Sequence, residues 1–314
     1  MRAFVLERLA LFAATVAAAA LILFVLLDTL PGDAAQFLVG AGPAAAALST
    51  ELGLDAPGWQ RFFGFLFAPI TGGFGLSATL KSPIGALIAE RLAVTLPLTL
   101  ASFGLAAALG LALGGLAAGR PGSALDRGVT MVGQLGRLVP PFWLGMLLVL
   151  LFAAALKWLP ASGFVPWTQN PGAALASLVL PVLALALPHA AGLALSTRQA
   201  IRTTQRAAHM RTAEAIGMTP RQALLRHGLR NALLPLLGVL GGLFAALLLG
   251  TVIVENVFYL PGLGRLILTA ITQRDLPLVR GGLLVLVALV ALGMLLISLV
   301  RLWADPRLHP DAAR

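Results

Sequence analysis

The stretch LAVTLPLTLASFGLAAALGLALGGLAA, Leu92 to Ala118, contains no Lys, Arg, Asp or Glu. A helix crosses the hydrocarbon core of a bilayer with about 20 apolar residues. One charged side chain at mid-membrane costs roughly 2.5–3.5 kcal/mol on insertion scales, so a charge-free run of this length reads as a membrane span. Five other stretches read the same way: Leu9–Leu27, Leu138–Leu156, Ala173–Leu195, Ala232–Val254 and Gly281–Val300. Pro97, Pro181, Pro188 and Pro235 fall inside these runs, as membrane helices allow when neighbours satisfy the freed backbone groups. The first run follows Arg2 and Arg8 as in a signal peptide. It is span-length, with no clear cleavage site after it, and reads as a retained helix. The expected fold is an all-α membrane protein with about six transmembrane helices in a single transmembrane domain, residues 1–314.

Composition agrees. The 314 residues are 59% hydrophobic and 11% charged, against roughly 25% charged in soluble domains, so too little polar surface exists to cover a water-soluble globule. The formal net charge of +10 comes almost wholly from Arg, Lys81 and Lys157 being the only lysines. In a chain this apolar, arginine-rich inner loops explain that charge better than nucleic acid does. The absence of Cys excludes disulfides, thiolate metal sites and Cys nucleophiles.

With the N-terminus inside, fifteen basic residues fall on the inner side and seven on the outer. Arg120, Arg127, Arg137 and the seven arginines from Arg198 to Arg230 are counted inside. Asp33, Glu51, Asp55, Glu90, Glu255 and Asp275 nearly balance the outer bases. Both termini are therefore expected on the cytoplasmic side. Trp158, Trp167 and Trp303 suit interfacial anchoring. The outer segment, residues 31–91, carries Trp59, Phe62, Phe63, Phe65 and Phe67 and is expected to fold against the outer membrane surface.

The inner segment 196–231 is the informative one. Arg198, Arg202 and Arg206 recur every four residues, sharing one helical face that extends the fourth span inward. Arg211-Thr-Ala-Glu-Ala-Ile216 is a good helix former, and Gly217 offers a C-terminal stop. Thr219-Pro220-Arg221-Gln222 then reads as a helix start: Thr219 as N-cap, Pro220 at the first helical position, Gln222 completing a capping box. Two helices joined by a sharp turn make a knob that can fit a socket on a soluble partner. The same arginines would equally suit a loop that only sets topology. A DNA-reading helix-turn-helix is a poor fit so close to a membrane.

The stretch RTAEAIGMTPRQALLRHGLRNALLP, Arg211 to Pro235, resembles the signature loop of ABC importer permeases, specifically the dipeptide/oligopeptide/nickel group. LPGD (Leu30–Asp33), LGLDAP (Leu52–Pro57), VENVFYLPGLGRLILTAITQRDLPLVRG (Val254–Gly281) and DPRLH (Asp305–His309) are similar to the same group. The resemblance implies a permease subunit of an ATP-driven importer. It would form half of a pathway for peptides or a related small solute across the bacterial inner membrane, with both termini cytoplasmic. It implies a second homologous permease, two cytoplasmic ATPases that bind ATP and Mg, and an extracytoplasmic substrate-binding protein as partners. Segment 196–231 would be the coupling loop, with Arg211, Thr212, Ala213, Glu214, Ala215, Gly217, Thr219 and Pro220 docking the ATPase. Pro261, Gly262, Gly264 and Asp275 would dock the binding protein. The general importer motif begins Glu-Ala-Ala where Arg211, Thr212 and Ala213 stand here, so its ionic contact does not carry over.

No chemistry in the chain supplies the energy. A phosphate-cradling loop needs G-x-x-x-x-G-K-[ST]. Lys81 is the only Lys before a Ser, and Leu80 occupies the second Gly position. The chain is not expected to be an enzyme, and no cofactor or metal is expected on it. His189, His209, His227 and His309 lack metal-ligand spacing. An ion-coupled secondary transporter is the alternative; it would place an ionisable residue in a span. His189 in the fourth run and Asp28 at the outer end of the first are the candidates. A lone His there suits a packed or pathway-lining residue. The glycine pairs Gly110/Gly114, Gly115/Gly119 and Gly238/Gly242 are possible packing seams.

Overall fold

The structure, a computed structural model, describes residues 2–28, 42 and 56–304. Its helices are α1 (Arg2–Asp28), α2 (Gly58–Thr71), α3 (Ile84–Ala118), α4 (Ala124–Gly136), α5 (Pro141–Leu148), α6 (Pro171–Gln205), α7 (Ala208–Ala215), α8 (Pro220–Ala223), α9 (Leu229–Val257), α10 (Leu263–Thr272) and α11 (Leu276–Ala304). A π-helical stretch, Val149–Ala155, continues α5, and another, Leu224–Gly228, joins α8 to α9. The motifs at Leu30–Asp33 and Asp305–His309, and Leu52–Asp55 of the outer-loop motif, lie outside the described residues.

Five helices, α1, α3, α6, α9 and α11, are long and apolar enough to cross a membrane. The expected third span, Leu138–Leu156, is a broken one: α4 and α5 are bent by 105° about residues 137–140. Topology requires that this pair cross. Ala118, ending α3, clusters with Ile201 near the end of α6, whereas Trp167, just before α6, donates to the Ala93 carbonyl near the start of α3 at 2.9 Å. Residues 119–170 therefore run from one end of the bundle to the other. Pro141–Ala155 alone would rise about 22 Å at ~1.5 Å per residue, short of a core of ~30 Å, and α4 supplies the rest. Pro141 explains the break, since a proline without an N–H is accommodated in a first helical turn but not in a helix interior.

Glycines set how closely the helices approach. A Cβ on Gly114 would sit 2.3 Å from the Ala194 carbonyl oxygen and 2.6 Å from Thr197 Cβ, and one on Gly110 would sit 2.7 Å from Leu193. This Gly110/Gly114 pair is the seam between α3 and α6. Gly238 and Gly242 have nothing within 4 Å of a built Cβ, and Gly115 only Ile201 at 3.9 Å; those pairs seal no contact within this chain. Gly133 and Gly136, whose role the sequence reading missed, press α4 onto α6 at Ala191, with distances of 3.0 and 2.5 Å. The main cluster around Leu98, Leu185, Leu247 and Phe258 joins α3, α6 and α9.

One mid-helix proline is matched by a donor from elsewhere. Pro97 has no N–H for the Ala93 carbonyl four residues back, and the Trp167 indole N–H takes that place. The segment before α6 is thereby tied to α3.

The two ends of the bundle are now assignable. The ring of Phe24, late in α1, lies 5.7 Å from the Arg280 guanidinium at the start of α11, so these helices are antiparallel. Arg230 Nε donates to the Ala304 carbonyl at 3.0 Å, setting the end of α11 beside the start of α9. The beginning of α1, the end of α11 and the segment carrying Arg198 to Arg230 share one end, the arginine-rich end. At the opposite end, α2 packs on α1 and α11. Trp59, Phe63, Phe67 and Ile70 form an exposed stripe along it, as suits a helix lying in a membrane interface. The outer segment was expected to reach Arg91; α3 already begins at Ile84.

Replacing Gly114 by Ala forces the α3–α6 backbones apart and is expected to destabilise the chain by ~1–3 kcal/mol. Gly115→Ala should change stability by less than about 0.5 kcal/mol. Thermal unfolding of the two variants in detergent checks the contrast.

Candidate functional site

The loop at the arginine-rich end folds as two short helices around a turn. Helix α7 ends at Ala215, and Gly217 has φ +92°, the left-handed region that favours glycine. Gly217 N–H donates to the Glu214 carbonyl at 3.0 Å and Met218 N–H to the Ala213 carbonyl at 3.2 Å. These two bonds make a Schellman cap, with Met218 closing over Met210, Ala213 and Ala223. Thr219 then starts α8 with the expected capping box. Its N–H donates to Gln222 Oε1 at 3.0 Å, and the Gln222 N–H returns to Thr219 Oγ1 at 3.3 Å.

This geometry sorts the residues expected to dock an ATPase. Arg211, Thr212, Glu214, Ala215, Gly217 and Thr219 are exposed. Pro220 begins α8. Ala213 is buried in the core of the loop, so its side chain holds α7 on α8 and presents nothing outward. Ile216, whose side chain the sequence reading did not single out, is 73% exposed at the tip, and Leu225 is exposed on the following turn.

Where α4 meets α6, Asp126 is buried between two arginines of the expected face. Arg198 Nε and Arg202 Nη2 donate to its two oxygens, the latter at 2.8 Å. Arg206 is exposed at the end of α6. The turn before α4 prepares the carboxylate: Gly122 N–H donates to Asp126 Oδ2 at 2.9 Å, and the Asp126 N–H bonds the Ser123 N-cap hydroxyl. The Arg198 and Arg202 guanidinium groups and the Gly122 N–H together satisfy the Asp126 carboxylate at the α4–α6 contact. These arginines therefore clamp the broken third crossing to α6 as well as setting charge asymmetry.

At the opposite end, the Val254–Gly281 motif builds a second carboxylate site. Glu255 is fully buried, and Thr95 Oγ1 on α3 donates to its Oε1 at 2.6 Å. Thr95 in turn accepts the Leu263 N–H at 2.8 Å, and Glu255 Oε2 accepts the Arg265 N–H at 3.0 Å. Glu255 and Thr95 thus cap α10 from two other helices. Side chains at Gly262 or Gly264 would enter this space: a built Cβ lies 2.1 Å from Glu255 Cδ in one case and 2.4 Å from Val252 Cα in the other.

Asp275 caps α11 by accepting the Leu278 N–H at 3.1 Å, and it holds the Ser77–Thr79 turn before α3 through Ser77 Oγ at 2.6 Å and Thr79 Oγ1 at 2.9 Å. Burial pushes its carboxyl up, but these bonds and the Thr79 N–H outweigh burial and hold it below its ordinary value. Gly262, Gly264 and Asp275 were expected to touch a binding protein. All three are buried within this chain, Gly262 and Gly264 beside Glu255 and α9, and Asp275 between the Ser77–Thr79 turn and α11. Tyr259 and Arg274 are exposed there, both at positive φ, +53° and +56°. The Arg265 guanidinium lies 4.7 Å from the Tyr259 ring centroid, and Pro261 is half-buried beside them. Non-glycine residues held in this region cost about 1–3 kcal/mol and cluster at functional sites.

His189 lies in mid-α6. Its Nδ1 stands 2.8 Å from the Leu185 carbonyl oxygen, which can only accept, so Nδ1 carries the proton. The ring lines a cavity between the elbow, α6 and α9. Asp28 ends α1.

Residues 110–310 match the family described as binding-protein-dependent transport system inner membrane component. The chain is similar over nearly its full length to several curated proteins. It is 38% identical, over 99% of this chain and 100% of the other, to a Brucella suis protein named provisionally as a peptide transport system permease. It is 32% identical to the di/tripeptide transport system permease protein of Pseudomonas aeruginosa, over 98% of this chain and 99% of the other. It is 35% identical to the glutathione transport system permease protein of Escherichia coli K12, over 95% and 94%.

Asp126→Asn takes the shared carboxylate from Arg198 and Arg202 and should lower the thermal unfolding midpoint in detergent, whereas Arg206→Gln, at an exposed position of the same face, should leave it unchanged.

Proposed function

The chain belongs to the family of binding-protein-dependent transport system inner membrane components and is a permease of the ABC-importer kind, and from that premise we propose how its two ends work. As a transporter subunit of a multi-pass inner-membrane family it is not itself an enzyme. In our reading the arginine-rich end is cytoplasmic, with both termini on that side. The loop from α6 to α9 is the coupling element for partner ATPases, which bind and hydrolyse ATP with Mg. A second, homologous permease completes the pathway. The substrate-binding protein docks at the opposite end, on the exposed surface around Tyr259, Pro261, Arg265 and Arg274. The cargo is a peptide or a close chemical relative, a reading supported by the peptide, di/tripeptide and glutathione names of the similar permeases.

The single observation that carries the coupling role is the capped knob: a Schellman turn at Gly217 followed by a capping box at Thr219, with Ile216 and Glu214 exposed at its tip. Four backbone and side-chain bonds of this kind fix a loop more rigidly than topology-setting charge needs. Rigidity is what a part needs if it is to pass a push from a soluble partner into α6 and α9. ATP-driven closure of the ATPases would move the knob, and α6 and α9 would carry that motion along the bundle. The pathway between the two permeases would then switch its opening from one side to the other.

Ile216→Asp places a charge at the tip without touching the core beneath it. In the complete transporter reconstituted in liposomes, this variant should lower binding-protein-stimulated ATP hydrolysis and uptake by at least tenfold, the loss typical of a central apolar anchor. Assembly-competent Ile216→Asp protein with wild-type stimulation would end the coupling reading.

A further inference from the structure

The broken third crossing encloses space that ATPase docking does not use. Between the elbow, α6 and α9 lies a cavity of about 370 Å³, within the ~300–1,000 Å³ range of small-molecule sites. Its walls are apolar or small, and none of its lining residues is acidic; its polar side chains are Arg137, His189 and Ser196. Gly242 faces it with nothing within 4 Å of a built Cβ, and Gly192 gives room for the Arg137 side chain, whose Nε would lie 3.4 Å from a Cβ there.

Arg137 was counted among the inner loop charges from sequence. The structure sets it at the inner end of the fourth apolar run. Its Nη2 donates to the Gly192 carbonyl and to Ser196 Oγ, both at 3.3 Å, and so bridges the last turn of the run Ala173–Leu195 and the first residue of the inner segment. Both bonds are at the long end of the useful range. They use one nitrogen of a group with five donors, and Arg137 is exposed. No carboxylate pairs with it among the described residues. An Arg at the mouth of an apolar span is held most cheaply where it faces water or a partner. A helix break in a span is likewise tolerated where it lines a cavity, and interrupted helices build substrate sites in other transporters.

The chemistry selects the ligand group. A guanidinium fork matches a carboxylate. One helical turn away, His189 spends its Nδ1 proton on Leu185, leaving Nε2 as an acceptor for an N–H. A carboxylate with an N–H close by is the C-terminal end of a peptide. We infer that this cavity is a station on the translocation route, where Arg137 holds the α-carboxylate of the passing peptide and His189 accepts its last amide N–H. This inference rests on the peptide reading above. An anionic lipid headgroup offers the same charge and is the competing occupant.

The test uses the complete transporter in liposomes, with the binding protein saturated in turn by a tripeptide and by its C-terminal amide. Uptake is measured for wild type, Arg137→Gln and Arg137→Lys, each scaled to assembled complex. Arg137→Gln should slow the free-carboxylate peptide roughly tenfold or more and leave the amide at its wild-type rate, with Arg137→Lys recovering much of the loss. Equal fractional loss for both peptides would make Arg137 a brace of the elbow, and no loss for either would remove it from the route. Either result overturns the inference. So would an Arg137 effect that follows anionic lipid content and ignores the peptide terminus. If wild type moves neither peptide, the peptide reading itself fails and the inference with it.

Discussion

Each buried carboxylate among the described residues, Asp126, Glu255 and Asp275, sits where a helix starts and draws its donors from another part of the chain. Burying a carboxyl group without hydrogen-bond partners is costly, so each acid obliges specific elements to meet. Asp126 fixes α4 against α6, Glu255 fixes α10 against α9 and α3, and Asp275 fixes the Ser77–Thr79 turn against α11. The apolar helices could slide or rotate at small cost in a lipid that is as apolar as they are. These three polar fasteners give the bundle its register.

Between the fasteners, helix contact depends on what is missing from the side chains. Gly114, Gly133 and Gly136 bring α3 and α4 to van der Waals contact with the α6 backbone. Pro97 and Pro141 leave backbone groups that other elements satisfy or that the elbow exploits. Helix α6 therefore joins three features: it receives the clamp of Asp126, lines the cavity with His189 and Gly192, and leads into the capped loop through Arg206. A displacement of the loop has a continuous, stiff path to the cavity.

Much of the candidate site was legible in order and little of it in depth. The capping box at Thr219 and the stop at Gly217 were readable because caps are local: their bonds span three to five residues, and the residue types that make them are few. The part played by Ala213 was not readable, since whether an alanine on a short helix faces partner or core depends on how that helix lies on its neighbour. The same limit applied to Gly262, Gly264 and Asp275. Their motif marked an important place, but a glycine conserving room for a distant Glu255 and a glycine exposing backbone to a partner look identical in one dimension. Ile216 was missed because an isolated apolar residue in an apolar chain carries no contrast.

The sequence by itself determined that the chain crosses a membrane, about how many times, where the basic residues concentrate and how the loop from α6 to α9 is capped. Those properties follow from transfer free energies summed over a run and from hydrogen bonds between near neighbours, both of which are local. Tertiary structure alone decided that the third crossing is broken and that Arg137 lies beside Gly192 and Ser196 at the inner end of the fourth apolar run. It also decided that Gly110/Gly114 is a seam while Gly238/Gly242 stands open, and that the acids at 126, 255 and 275 are buried. Each of these depends on which helix lies against which, and that is set by pairings between residues tens to hundreds of positions apart, which no local pattern encodes.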